Sequence, residues 1–228
     1  MSTDPGVGLS SARTRARRLV LATRNAHKVV ELREILAGSL DRAGLELVGL
    51  DAFAGLEDVV ESGVTFADNA LLKARYAAAA TGLPALADDS GLAVDVLGGS
   101  PGVFSARWAG PLAQAGGLTK DEANNRLLLS QLADVPDEHR GAGFVCAAAL
   151  VLPGDEPGTT GQEVVRTGEC RGVLGREPRG AGGFGYDPLL VRPDGRTLAE
   201  HTAEEKNAVS HRGQAFRALA GDIATLLG

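Results

Sequence analysis

The segment that most constrains the fold is Ala85-Leu86-Ala87-Asp88-Asp89-Ser90-Gly91. Its first three residues are apolar and read as a short buried strand. Two adjacent carboxylates follow at once, then a hydroxyl and a glycine that permits a sharp turn. Side-by-side acids at the end of a buried strand repel each other and lose solvation. A hard divalent cation such as Mg²⁺ would relieve both problems, because it takes carboxylate oxygens and keeps water and substrate phosphates as its other ligands. An Asp-rich turn capping a loop or helix would serve as well. The segment alone leaves both open.

The flanking patterns place this strand in an α/β fold of mixed α+β character. Residues 1–17 are rich in Ser, Gly and Arg without periodicity and read as a disordered tail, with Arg13, Arg15, Arg17 and Arg18 in a solvated arm. Residues 18–228 are expected to form a single domain. Order begins with the strand Leu19-Val20-Leu21-Ala22, and Val29, Leu32, Ile35 and Leu36 share one face of a helix over 26–36. A second strand spans 45–50. Thr65-Phe66-Ala67-Asp68 is a capping box with Asp in place of Glu, opening an Ala-rich helix that Gly82 and Pro84 end. Thr119 with Glu122 and Thr202 with Glu205 are two further capping boxes, and the first opens a helix to about residue 133. Residues 141–152 and 162–172 form a long hairpin, and a last helix runs over 213–227. Helices mixed with strands and a hairpin imply a mixed sheet.

Bulk properties remove several classes of function. A net charge of −6 argues against wholesale nucleic-acid binding. Cys146 and Cys170 make neither a disulfide framework nor a metal spacing. The apolar run at 144–152 is far short of the roughly 20 residues that span a bilayer. The opening residues lack the apolar stretch of a signal peptide. A soluble cytoplasmic protein is expected. Lysine is scarce, at 4 against 19 arginines, so each lysine position carries information.

Four constellations bear chemistry. Thr23-Arg24-Asn25-Ala26-His27-Lys28 joins the first strand to the first helix, where unpaired N–H groups and the helix dipole favour an anion. It lacks the glycines of a Walker loop, and taken alone it is better explained as an ordinary N-cap with Lys28 paired to Glu31. Glu61 precedes the second helix and gains a role only beside Asp88 and Asp89. Lys73 on that helix reads as a snorkelling surface lysine. Gly180-Ala181-Gly182-Gly183-Phe184-Gly185-Tyr186-Asp187-Pro188 matches G-x-G-x-x-G literally, yet no strand precedes it and no helix follows. This rules against a dinucleotide-binding oxidoreductase. The loop instead lets a ligand approach the backbone, with Phe184 as a stacking face for a base and Asp187 as a carboxylate. Lys206 with Ser210-His211-Arg212-Gly213 offers donors for phosphate or a base carbonyl. Trp108, the sole tryptophan, reads as core.

These segments, together with Glu61-Ser62-Gly63-Val64-Thr65-Phe66, Asn69-Ala70-Leu71-Leu72-Lys73-Ala74 and Pro101-Gly102-Val103-Phe104-Ser105-Ala106-Arg107-Trp108, resemble the inosine triphosphate pyrophosphatase family, also called dITP/XTP pyrophosphatases. The resemblance runs from Leu19 to about Leu227. It implies an elongated mixed sheet with flanking helices and two lobes around a cleft, a homodimer, and Mg²⁺ dependence. It further implies that residues 23–28 hold the triphosphate and that Asp89 is the catalytic acid-base residue and a metal ligand with Glu61. Asp88 is expected to share that ligation. Lys73 and Ser90 would contact substrate, and Phe184, Gly185, Tyr186, Asp187, Lys206, His211 and Arg212 would bind the nucleotide. The implied activity is hydrolysis of ITP, dITP and XTP to the monophosphate and pyrophosphate. A pyrophosphatase of modified pyrimidine nucleotides and a non-catalytic nucleotide-binding module are the alternatives. Arg24 stands where many members carry glycine, and the loop at 111–118 is irregular.

Overall fold

A computed structural model describes residues 17–24, 26–111 and 117–228, with Ala26 and His27 by their backbone alone. The expected tail, apart from Arg17, lies outside the described residues. Two short apolar segments, β1 (Arg17–Leu21) and β2 (Leu45–Gly49), pair in parallel across α1 (Ala26–Ala43). β1 also pairs in parallel with β3 (Ala85–Val94). The hairpin of β4 (Gly141–Pro153) and β5 (Thr160–Leu174) continues the sheet antiparallel, and β6 (Leu190–Val191) closes it. The six-stranded order is β2-β1-β3-β4-β5-β6.

Alternation along the strands assigns the two faces. Leu19, Leu21, Leu86, Cys146, Ala148 and Leu150 face α1 and α5 (His211–Leu227), which contribute Leu32, Leu36, Phe216 and Leu219. Val20, Ala85, Ala87, Ala147 and Ala149 face α2 (Phe66–Thr81), whose Ala70, Ala74, Ala77 and Ala78 are small enough for close approach. A third cluster lies toward the other end of the long strands. There Leu92, Val94, Phe144 and Leu174 pack with Leu128 and Leu132 around α3 (Lys120–Gln131). β3, β4 and β5 thus carry two packed lobes. α4 (Ala203–Val209) precedes α5.

The expected turn at Asp88 is absent. β3 continues for ten residues, and Asp88, Asp89, Ser90 and Gly91 pair with Ala148, Ala147, Cys146 and Val145. The apolar run of β4 supplies an unbroken partner ladder, which overrides the turn preference of Asp, Ser and Gly. Gly91 is required for a different reason. A Cβ there would meet the Ser105 side chain and sit 2.6 Å from the Gly102 carbonyl, because the 3₁₀ segment Gly102–Arg107 packs directly on the strand. The β1 ladder ends at Leu86, so beyond it this edge of β3 opens into a cleft. Arg17 and Arg18, expected in a solvated arm, belong to β1, and the Arg17 guanidinium donates to the carbonyls of Ala43 and Leu227. α1 runs past residue 36 because Leu40 and Ala43 extend its buried stripe.

α5 lies on the bare backbone of β5 at Gly168, where a Cβ would stand 2.6 Å from Ala215 N and clash with the His211 carbonyl. Gly168→Ala should therefore cost about 1–3 kcal/mol in urea denaturation. Gly221, exposed on α5 with open space around it, should instead gain about 0.5–1 kcal/mol when changed to Ala. Equal effects at the two glycines would contradict the close α5–β5 contact.

Candidate active site

Because side chains alternate along β3, Asp88 continues the Leu86 face and Asp89 the Ala87 face. Each finds its own set of partners. Asp88 is 4% exposed. Lys28 Nζ, from the first turn of α1, lies 3.1 Å from both its oxygens. Arg212 Nε, from the first turn of α5, donates to Oδ2 at 3.1 Å. Arg212 also donates to Ser90 Oγ at 3.3 Å and lies 3.6 Å from Glu31. Burial alone would raise the Asp88 pKa, but the ammonium of Lys28 and the guanidinium of Arg212 outweigh it and hold the carboxyl well below the usual range. Arg212 is correspondingly raised: its burial opposes the charge, and Asp88 and Glu31 prevail.

On the opposite face, α2 presents Asn69 and Lys73 one turn apart. Asn69 Nδ2 donates to Asp89 Oδ2 at 2.9 Å, and Asn69 Oδ1 accepts from the Gly63 N–H at 2.8 Å. Lys73 Nζ stands 2.6 Å from Glu61 Oε1 and 3.8 Å from Asp89 Oδ1. Burial raises the Asp89 pKa, and Lys73 and Asn69 only partly offset it. An ammonium already sits between Glu61 and Asp89, so this pair of carboxylates is arranged around positive charge. Two carboxylates fit a Mg²⁺ ion, which completes its shell with waters and phosphates. Among the described residues no three His, Cys, Asp or Glu converge on one point. The strand pleat turns Asp88 away from the other two, and its oxygens are engaged by Lys28 and Arg212.

Two cavities open along β3. One, of about 240 Å³, is lined by Thr23, Arg24, Lys28, Glu61, Lys73 and Asp88. The other, of about 120 Å³, is lined by Ser90, Phe144, Phe184, Gly185, Lys206 and His211. Arg212 bonds both Asp88, which lines the first, and Ser90, which lines the second. Phe184 is 57% exposed, with Lys206 Nζ 4.7 Å from its ring centroid and the Arg212 guanidinium 5.7 Å away. Asp187 Oδ2 accepts from Lys206 at 2.7 Å and from the Phe184 N–H at 2.8 Å. His211 stacks on Phe144 with centroids 5.0 Å apart, and its buried Nδ1 has no hydrogen-bond partner. Burial, with Arg212 and Lys206 nearby, pushes the His211 pKa down to about 3. The ring is neutral at physiological pH.

A cavity that presents Arg24, Lys28 and Lys73 among carboxylates, and a second with an exposed aromatic face, both set against the Asp88–Ser90 stretch of β3, suit a ligand with an anionic chain and a planar ring. The profile of the Ham1 family matches residues 19–222. The chain belongs to the Ham1 family. A dITP/XTP pyrophosphatase of Streptomyces coelicolor is 60% identical over 215 residues, covering 92% of this chain and 99% of that protein. One from Frankia alni is 60% identical over 212 residues, covering 92% and 96%. Among solved structures, a HAM1 protein from Coxiella burnetii superposes with a TM-score of 0.78 at 40% identity, covering 92% of this chain and 99% of that one. A nucleoside-triphosphatase/dITP/XTP pyrophosphatase from Mycobacterium abscessus gives 0.70 at 49% identity, covering 89% and 98%.

In this Ham1 chain three of the four lysines, Lys28, Lys73 and Lys206, line the two cavities. Lys73, read as a snorkelling surface residue, instead points inward to Glu61. Arg24 stays at the rim, its guanidinium on Asp58 and the Leu56 carbonyl. Asn25 lies outside the described residues, as do the side chains of Ala26 and His27. Tyr186 is buried, its hydroxyl donating to the Ser105 carbonyl at 3.0 Å, so it braces the cavity wall. Trp108 packs on the third core cluster, in keeping with its core reading. Asn69 escaped notice, although a buried Asn inside an Ala-rich helix is unfavourable without a partner. No described helix is long and apolar enough to cross a membrane.

The neutral His211 carries a pH signature. Its folded pKa lies below the ordinary 6.5, so the unfolded chain binds a proton there that the folded chain does not. Its contribution is complete above pH 6.5 and is lost as pH falls, by up to about 1.4 kcal/mol per unit. His211→Gln should flatten the slope of unfolding free energy against pH between 6.5 and 5, read by urea denaturation. An unchanged slope would contradict the neutral buried ring.

Proposed function

We propose that this Ham1 protein hydrolyses non-standard purine nucleoside triphosphates, namely ITP, dITP and XTP, to the nucleoside monophosphate and pyrophosphate. The observation that carries the reading is the pair of cavities along β3, one presenting Lys28, Lys73 and Arg24 and the other the Phe184 face, with Arg212 bonded to a lining residue of each, in a chain whose relatives are dITP/XTP pyrophosphatases. Residues 23–28, with Thr23 and Lys28 at the start of α1, would hold the triphosphate. Lys73 would neutralise phosphate charge beside them, with Arg24 at the rim. Phe184 would stack on the base, while Gly185, Asp187, Lys206, His211 and Arg212 line or brace its cavity. Ser90 lies between the two.

Asp89 is the proposed catalytic residue. Its raised pKa and its position beside Lys73 suit a general base. It would take a proton from water as the oxygen attacks the α-phosphorus. The bond from that phosphorus to the bridging oxygen breaks, and pyrophosphate leaves with the electron pair. Lys28 and Lys73 would stabilise the charge that develops on the leaving group. Glu61 and Asp89 are the residues that would hold Mg²⁺, which when bound supplies further charge neutralisation at the phosphates. Asp88 is assigned the task of orienting Lys28 and Arg212. Donors such as Arg212 and His211 suit the six-oxygen of hypoxanthine or xanthine, whereas the amino group of adenine would meet them unpaired. Such a mismatch discriminates by several orders of magnitude. By its resemblance to the ITP pyrophosphatases the protein would work as a cytoplasmic homodimer, with residues 18–228 as one catalytic domain.

Incubation with Mg²⁺ and a panel of ITP, dITP, XTP, GTP, ATP, dTTP and UTP tests this. Pyrophosphate and orthophosphate are measured separately. ITP, dITP and XTP should turn over with pyrophosphate as the first product, and ATP at least about a hundredfold more slowly by kcat/KM. Stepwise orthophosphate release, or preference for pyrimidines, would reject the proposal.

A further inference from the structure

The loop that carries Phe184 has few side chains of its own to hold it. Gly180, Gly182, Gly183 and Gly185 occupy it, and Gly180, Gly183 and Gly185 have positive φ of 83°, 74° and 62°. Asp187 ties it from within, through the Phe184 N–H. A second tie comes from α3. The Gly185 N–H donates to Asp121 Oδ2 at 2.7 Å, and the Gly185 carbonyl accepts from Asn125 Nδ2 at 3.0 Å. Asp121 and Asn125 are four residues apart and so share one helix face. Both polar groups of a single glycine are thus held from one helix. Asn124, beside them, accepts from the Ala109 N–H at 2.7 Å and donates to the Ser105 carbonyl at 3.3 Å. Ser105 and Gly185 line the same cavity. One helix therefore holds two segments of its lining. Consecutive buried asparagines weaken a helix interior, which makes their double commitment to cavity walls the more telling.

We infer that Asp121 and Asn125 are positioning residues for base selection: by clamping the Gly185 peptide they set the height of the Phe184 face and hence which bases the cavity accepts. This rests on the reading of that cavity as the base site. Loosening the clamp leaves the phosphate half untouched, because Lys28, Lys73 and Asp89 stand on α1, α2 and β3. A plane that is no longer fixed still stacks on any purine, so selectivity falls as well as affinity.

The test compares wild type with Asn125→Ala and with Asp121→Ala, which removes the other half of the clamp from a less buried position. Steady-state kcat and KM are measured for ITP and ATP, with inhibition by inorganic pyrophosphate as a probe of the phosphate half. Loss of one hydrogen bond is about a tenfold effect. In either folded variant the KM for ITP should rise about tenfold with kcat within about twofold, and the ITP/ATP ratio of kcat/KM should fall about tenfold. The pyrophosphate inhibition constant should not move. Retained ITP/ATP selectivity in either folded variant would overturn the inference, as would an equal weakening of pyrophosphate. Wild type without preference for ITP would instead defeat the underlying reading.

Discussion

The architecture turns on one buried carboxylate. Asp88 sits in the middle of β3 with almost no access to water, and its charge is balanced by Lys28 from α1 and Arg212 from α5. Three elements distant in sequence are thereby tied at one point. Breaking a buried pair by removing one partner costs about 3–5 kcal/mol, mostly from the charge left behind. The interaction is thus a poor source of net stability but a strong specification of where the two cations stand. The same logic recurs at the site. Lys73 is paired with Glu61, and Lys206 with Asp187. Each of these cations has a carboxylate beside it, so the protein holds these charges in place without a ligand.

The strand pleat then divides the labour. Two neighbouring aspartates would compete for the same counter-charge if they pointed the same way. Alternation sends Asp88 toward α1 and α5 and Asp89 toward α2, where Asn69 and Lys73 receive it. The consequences for the two carboxyls are opposite. Asp88 is driven down by two cations, whereas Asp89 is raised by burial. One remains a fixed anion, and the other becomes able to accept a proton. The small alanines of α2 and β4 let the helix come close enough for Asn69 and Lys73 to reach the strand.

Much of this was legible in the sequence. The capping boxes at Thr65, Thr119 and Thr202 mark true helix starts. The continuous apolar run of 144–152 marks a strand of the central hairpin, and the scarcity of lysine drew attention to Lys28 and Lys206, which line the two cavities. Asp88 to Gly91 misled because their local preferences are those of a turn, while the ladder that holds them extended is supplied by β4, more than fifty residues away. Asp88 and Glu61 line one cavity, and the oxygens of Asp88 are engaged there by Lys28 and Arg212. Asp121 was hidden by its neighbour: as part of the Thr119–Glu122 capping segment it already had an explanation, and only the fold brings Gly185 to it.

The division between the two aspartates is the central claim, and it is tested most directly by separating binding from turnover in Asp88→Asn and Asp89→Asn. ITP binding to each variant is measured by calorimetry in Mg²⁺, alongside single-turnover cleavage, with near-UV circular dichroism to establish that both are folded. The account predicts that Asp89→Asn binds ITP within about threefold of wild type yet cleaves it at least about a thousandfold more slowly, as expected for loss of a general base at the reacting centre. Asp88→Asn should lose binding itself, because Lys28 and Arg212 are no longer aimed. Turnover retained by Asp89→Asn, or the same binding defect in both variants, would contradict it.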